Sequence, residues 1–170
     1  VYAIGESGLI KALYDAGITM NDVNPDYVVV GEGKNYSLDT LTKATNLVLG
    51  GARLIGANSD VTGPVDGGIA PACGALVSPI EMATGAHAYF CGKPNPLMMR
   101  TGLQMLGVHS QDAAMVGDRI YTDVKTGINA GVTSVLVLSG ETTMEDYKKS
   151  DVKPDYILDS VKDILNAIKE

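Results

Sequence analysis

Met115-Val116-Gly117-Asp118-Arg119-Ile120-Tyr121-Thr122-Asp123 reads as an apolar strand that runs straight into two carboxylates. The strand delivers Gly117 and Asp118 to its end, and Asp123 follows five residues later, where a helix begins. Two carboxylates brought to one point repel each other unless a hard cation neutralises them. Oxygen ligands with a phosphate nearby suit Mg²⁺, which keeps several waters and takes few protein carboxylates. A plainer arrangement uses the same residues: Asp118 ends the strand and Asp123 caps the helix, near the positive end of its dipole. The stretch by itself supports both equally.

The same strand-loop-helix unit recurs on either side. Upstream, a strand over 87–91 ends at Gly92-Lys93-Pro94, and a helix follows over 96–106, stopped by Gly107. A lysine pinned between Gly and Pro has a fixed backbone and can neutralise a phosphate or an attacking carboxylate as a point charge. Solvation in a turn is the commoner fate of a lone lysine. The quoted strand covers 113–116, and its helix runs over about 122–130 to Gly131. Downstream, a strand over 134–138 ends at Ser139-Gly140, and a short helix starts near Thr143, with Glu145 and Asp146 placed for a capping box. A last strand over 156–158 leads to Ser160 and Asp163, which open a terminal helix through Ile164, Leu165 and Ile168. Three successive strands therefore end in loops bearing Lys93, Asp118 and Ser139. Ligands of open α/β sheets bind at those C-terminal strand edges.

The first half alternates in the same way. A strand over 1–4 precedes a helix capped by Ser7, with Leu9, Ile10, Leu13 and Tyr14 at helical spacing and an end at Gly17. A β-rich run over 27–30 precedes a helix capped by Ser37, through Leu41, Ala44 and Val48 to Gly50-Gly51. A strand over 53–55 enters the loop Asn58-Ser59-Asp60. Residues 61–72, rich in Gly and Pro, are expected as a loop, and 73–84 as a helix ending at Gly85. This alternation argues for parallel sheet with covering helices. A composition shift near residue 86 predicts one α/β domain over 1–86 and a second over 87–170.

Bulk properties bound the function. The 170 residues are 45% hydrophobic and 19% charged, which excludes a disordered chain. Net charge is −7 and the basic residues are scattered, so the basic stripe that nucleic-acid binding requires is missing. A small anionic substrate stays compatible, because local groups and a metal outweigh the overall field. Cys73 and Cys91 form no C-x-x-C, and His87 and His109 complete no zinc set with them. Both thiols are expected reduced and buried, and Met98, Met99 and Met105 are expected as core filler. With neither an apolar run of the ~18–20 residues a span needs nor a signal-peptide pattern, the expected location is the cytoplasm.

The ordered series strand, G-K-P, helix, strand, G-D-x-x-x-T-D, helix, with 25 residues from Lys93 to Asp118, resembles the third and fourth motifs of haloacid dehalogenase (HAD) superfamily phosphatases. Ala130-Gly131 and Ser139-Gly140 fit that pattern. Asn24-Pro25-Asp26-Tyr27-Val28-Val29-Val30-Gly31 and Pro71-Ala72-Cys73-Gly74-Ala75 resemble the cap domain of its NagD-like branch. The resemblance covers essentially the whole chain. It implies an α/β fold: the C-terminal part of a Rossmann-like parallel-sheet core over 87–170, with an α/β cap over 1–86. It also implies Mg²⁺-dependent hydrolysis of small phosphate monoesters of the nucleotide or sugar phosphate type. In such a reaction an Asp attacks phosphorus to give an aspartyl-phosphate; a second Asp two residues on protonates the leaving group and then activates water. By position, Lys93 would stabilise the nucleophile and the transferring phosphoryl group. Asp118 would ligate Mg²⁺, and Asp123 would hold the metal's waters or Asp118. Arg119, Ile120, Tyr121 and Thr122 would border the phosphate with backbone and side chains. Loops 32–36 and 58–69 would close over the substrate, with Asn58 and Asp60 as candidates to touch the leaving group. A plain Asx-type turn is the preferred reading of that last loop.

The motif set is incomplete. No D-x-D-G occurs, and the nearest string, Val65-Asp66-Gly67-Gly68, has Pro64 where the first Asp belongs. Residues 53–59 superficially resemble the Thr/Ser motif, but their spacing fits the cap. The nucleophile, the acid/base and the phosphate-binding hydroxyl are therefore absent from these residues. Together with an opening, Val1-Tyr2-Ala3-Ile4, already in a strand pattern, this leads to the expectation of a missing N-terminal piece and of a 170-residue chain that is a poor phosphatase alone. The expected partners are a small phosphorylated metabolite and, for assembly, that N-terminal segment or a second copy. The rival expectation is a non-catalytic α/β binding or regulatory module that keeps the fold without turnover.

Overall fold

A run of three valines anchors the first sheet. In the computed structural model, which describes residues 1–167, Val28 and Val30 are fully buried and Val29 nearly so, as a parallel strand covered on both faces requires. The chain divides into two compact units, Val1–Cys91 and Gly92–Glu170.

The first unit runs β1 (Tyr2–Ile4), α1 (Ser7–Asp15), β2 (Tyr27–Val30), α2 (Leu38–Leu49), β3 (Arg53–Gly56), β4 (Thr62–Val65), β5 (Gly68–Pro71), α3 (Cys73–Thr84) and β6 (Tyr89–Phe90). Four strands form one parallel sheet in the order β1-β2-β3-β6. Its register sets Ile4 opposite Val30, Val30 opposite Gly56, and Gly56 opposite Phe90, so the C-terminal ends lie flush. Ile4, Val28, Val30, Leu54, Val77 and Ile80 build the core with Ala44 and Val48 of α2. Each fully buried side chain of this size contributes roughly 1.5–3 kcal/mol. The start of α2 is fixed by a reciprocal cap: Ser37 accepts from the Thr40 N–H at 3.2 Å, and Thr40 Oγ1 accepts from the Ser37 N–H at 2.8 Å.

Three expectations need correction in this unit. Residues 61–72 are not a loop: β4 and β5 pair as an antiparallel hairpin, with Val65 opposite Gly68. The turn is Asp66-Gly67, where Gly67 takes a φ of +82° that a side chain would oppose. The strand expected over 87–91 shortens to Tyr89–Phe90. Those residues pair with Ile55 and Gly56 of β3, which ties them to the first compact unit, Val1–Cys91. Ser7 is the first residue of α1 and not its cap.

The second unit runs α4 (Pro96–Leu106), β7 (Ala114–Gly117), α5 (Lys125–Ala130), β8 (Thr133–Val137), α6 (Met144–Lys149), β9 (Tyr156–Leu158) and α7 (Ile164–Ala167). Its three parallel strands lie in the order β7-β8-β9, with Gly117 opposite Leu136. Ile120, Val124 and Leu136 form the core, covered by Leu138, Tyr147, Val152 and Ile157. Thr143 and Asp146 cap α6 reciprocally, as do Ser160 and Asp163 the turn before α7. Ile168 lies outside the described residues. Among the described residues, β7 has β8 as its one strand partner.

The helix expected over about 122–130 begins differently. Ile120–Val124 forms a π-helical turn, in which the Val124 N–H reaches back five residues to the Arg119 carbonyl at 3.2 Å, and α5 proper starts at Lys125. Such widened turns concentrate at functional sites.

Candidate active site

The widened turn follows directly from β7 and rolls Asp123 back onto the strand that precedes it. Asp123 is only 4% exposed, a position that a carboxylate holds only when paired and hydrogen-bonded. Lys93 Nζ donates to its Oδ1 at 2.6 Å, and the Arg119 backbone N–H donates to its Oδ2 at 3.1 Å. Gly117 makes room for this: a Cβ at 117 would run into the Asp123 side chain. Lys93 itself sits in the Gly92-Lys93-Pro94 loop, whose Pro94 carbonyl accepts from Asn129 Nδ2 of α5 at 2.9 Å. Asn95 then caps α4 through the Leu97 N–H at 2.9 Å.

Asp118, half-buried at the end of β7, is held from the other side. Its Oδ2 accepts the Glu141 backbone N–H at 2.8 Å, and its carbonyl accepts the Thr142 N–H at 3.1 Å. Its Oδ1 takes no hydrogen bond from the described residues. Arg119 Nη2 pairs with Glu141 Oε2 at 2.5 Å. Thr122 Oγ1 is buried without a hydrogen-bond partner, while its carbonyl accepts from Thr126 Oγ1 at 2.6 Å. Tyr121 is 57% exposed.

Five of the candidates therefore converge at the C-terminal end of β7: Lys93, Asp118, Arg119, Thr122 and Asp123. Ile120 needs correction, because its side chain packs in the core with Val124 and Leu136 and only its backbone can face a ligand. Asn58 and Asp60 belong to the first unit, just past β3. Asn58 Oδ1 accepts the Asp60 N–H at 3.0 Å, the local Asx turn, and its Nδ2 donates to Glu32 Oε1 at 3.3 Å. The Asp60 carbonyl accepts the Gly74 N–H at 2.8 Å.

Chemically, the cluster presents a buried carboxylate paired with a partly exposed ammonium group, beside a second carboxylate with one oxygen open to a hard cation. Among the described residues no three of His, Cys, Asp and Glu gather into a metal cage. That donor set fits Mg²⁺, which keeps its waters and needs few protein oxygens, and does not fit a zinc site closed by protein ligands. Burial pushes the Cys73 and Cys91 thiols above their ordinary range, so neither is a poised thiolate nucleophile.

Sequence reasoning missed the Glu141 contact to Asp118, a partner 23 positions away. The one local signal was Ser139-Gly140 at the end of the next strand. A Cβ at Gly140 would collide with the Asp118 carboxylate, so close approach excludes any larger residue there.

Residues 90–164 match the HAD-hydrolase-like family model. Over 166 residues the chain is 47% identical to a dihydroxyacetone phosphatase of Corynebacterium glutamicum, covering 98% of this chain and 60% of that protein. It is 42% identical over 163 residues to the ribonucleotide monophosphatase NagD of Escherichia coli, covering 96% of this chain and 64% of that one. Among solved structures, the 4-nitrophenylphosphatase of Thermotoga maritima superposes with a TM-score of 0.93 at 38% identity, over 98% of this chain and 64% of that one. The chain thus spans about 60% of the length of the first of these relatives and 64% of the other two.

Proposed function

We infer that this chain, a member of the NagD-like branch of the haloacid dehalogenase superfamily, serves in a Mg²⁺-dependent phosphatase of small phosphate monoesters. One observation carries the reading: Lys93 and Asp123 pair at 2.6 Å next to Asp118, at the strand end where open α/β sheets bind ligands. The names of the relatives, which include a dihydroxyacetone phosphatase, a ribonucleotide monophosphatase and an acid sugar phosphatase, favour a nucleotide or sugar phosphate substrate.

In this proposal Asp118 is the direct ligand of Mg²⁺ through its open oxygen. The cation, when bound, neutralises charge on the phosphate. Asp123 has both oxygens engaged by Lys93 and Arg119, so it orients Lys93 and the waters beside Asp118. Lys93 keeps its positive charge at the phosphoryl group and at the attacking carboxylate. The backbone of residues 119–122 and the Thr122 hydroxyl border the phosphate, with Arg119 and Tyr121 at its margin. We assign the first unit as the cap and the second as the C-terminal part of the core. Attack by an aspartate to give an aspartyl-phosphate needs a D-x-D-G strand that the 170 residues do not contain. Activity is therefore proposed for the whole protein in which these residues work. The two unpaired thiols support a reducing, cytoplasmic setting.

Titration of the full-length gene product with Mg²⁺, with and without inorganic phosphate, tests this reading. Binding that strengthens with phosphate and vanishes in Asp118→Ala is expected. Undiminished binding in that variant overturns the assignment of Asp118.

A further inference from the structure

We propose that Glu141 is a positioning residue that sets the orientation of the Asp118 carboxylate and through it the affinity for the cation; the proposal rests on the reading of Asp118 as metal ligand. Three contacts and one peptide bond close a ring. The Glu141 N–H donates to Asp118 Oδ2 at 2.8 Å. The Glu141 carboxylate holds Arg119 Nη2 at 2.5 Å. Arg119 is bonded in sequence to Asp118, and the Asp118 carbonyl accepts the Thr142 N–H at 3.1 Å.

The residues that close this ring lie between β8 and α6 and belong to neither element. Nothing regular fixes the 141 amide, so its place depends on these contacts and on the burial of Thr142. Gly140 makes the approach possible, since any side chain there would overlap the Asp118 carboxylate. The Arg119–Glu141 pair is too exposed on its Glu141 side, at 63%, to matter much for folding, because such pairs contribute 0–1 kcal/mol. Its consequence is local: it ties the residue after Asp118 to the residue that donates to Asp118. One carboxylate oxygen is thereby occupied, and the other is left oriented for a cation. Groups that orient a ligand in this way typically change metal affinity about 10–100-fold when lost.

The test uses the full-length protein, with Mg²⁺ alone as the titrant and amide hydrogen exchange as an independent readout. Glu141→Ala is expected to weaken Mg²⁺ binding about tenfold at an unchanged thermal midpoint. Glu141→Gln, which keeps an acceptor for Arg119, should recover part of that loss, and the charge swap Arg119→Glu with Glu141→Arg should recover most of it. In the metal-free protein, Glu141→Ala should speed exchange at amides 141 and 142. Wild-type affinity and wild-type exchange in Glu141→Ala would overturn the proposal. If Asp118→Asn binds Mg²⁺ as wild type does, the metal assignment of Asp118 fails instead. The exchange rates then decide the ring alone: faster exchange upholds it, and unchanged exchange refutes it.

Discussion

Replacing Lys93 by Met should destabilise the second unit by about 2 kcal/mol, and the same replacement should cost little more once Asp123 is already Asn. Asp123 is 4% exposed and takes its two contacts from Lys93 at 2.6 Å and the Arg119 N–H at 3.1 Å. Removing one partner of a fully buried pair costs about 3–5 kcal/mol, because a buried charge is left uncompensated. The Lys93 side chain is 35% exposed, so water screens part of this, and the Arg119 N–H remains; both reduce the figure to about 2 kcal/mol. Asp123→Asn keeps the shape and an acceptor for that N–H, and should cost about 1–2 kcal/mol as a lost charged hydrogen bond. The double variant should then cost about 2 kcal/mol, against a sum of about 3–4, a coupling of about 1–2 kcal/mol. Urea unfolding of the four proteins, followed at probes within the second unit, measures it. Additive losses would show that Lys93 and Asp123 do not depend on each other and would refute the reasoning.

Gly117→Ala forces a methyl group into the Asp123 side chain; a loss of about 1–3 kcal/mol with a sharp fall in phosphatase activity is expected from denaturation and rate measurements. Asp155 accepts the N–H and the Oγ–H of buried Ser134, both at 2.8 Å, and the backbone and then the side-chain bond hold its carboxyl below the usual range. Its stabilising contribution is therefore full above the unfolded value near about 3.9 and is lost as pH falls through the lower folded value. Stability measured from pH 5 to 2 should show the gap between wild type and Asp155→Asn closing toward the acid end, and a constant gap would contradict this. The 170-residue polypeptide expressed alone should release no phosphate from p-nitrophenyl phosphate, since it holds no D-x-D-G. It should also bind an apolar dye, because Ala114, Val116, Val135 and Leu158 line an open groove on the sheet. Turnover by that polypeptide would refute the first expectation, and absence of dye binding the second.

Most of the β/α frame was readable from local chemistry. Ser37 and Thr143 mark helix starts by capping that is observed in the structure, and the apolar runs at 27–30 and 156–158 are strands with those bounds. The hairpin at 62–71 was missed because Gly and Pro lower strand propensity, although Asp66-Gly67 between Val65 and Gly68 is a strong two-residue turn signal. The π-helical turn was not legible. Ile120 and Val124 have ordinary helical spacing, and what widens the turn is the burial of Asp123 against Gly117 and Lys93, contacts that sequence spacing does not encode. The acidic residues themselves stood out because they follow an apolar strand. The contacts of Lys93 with Asp123 and of Glu141 with Asp118 span 30 and 23 positions, and only the packed sheet brings them together.

Phosphate release by the full-length gene product is the most direct test of the central claim, measured with p-nitrophenyl phosphate in Mg²⁺, in EDTA, and for Asp118→Asn. The account predicts turnover in Mg²⁺, its loss on chelation with recovery when Mg²⁺ is restored, and loss of at least about a hundredfold in the variant. Equal turnover in EDTA, or an Asp118→Asn variant as active as wild type, would contradict it. No turnover under any condition would favour a binding module built on the same fold.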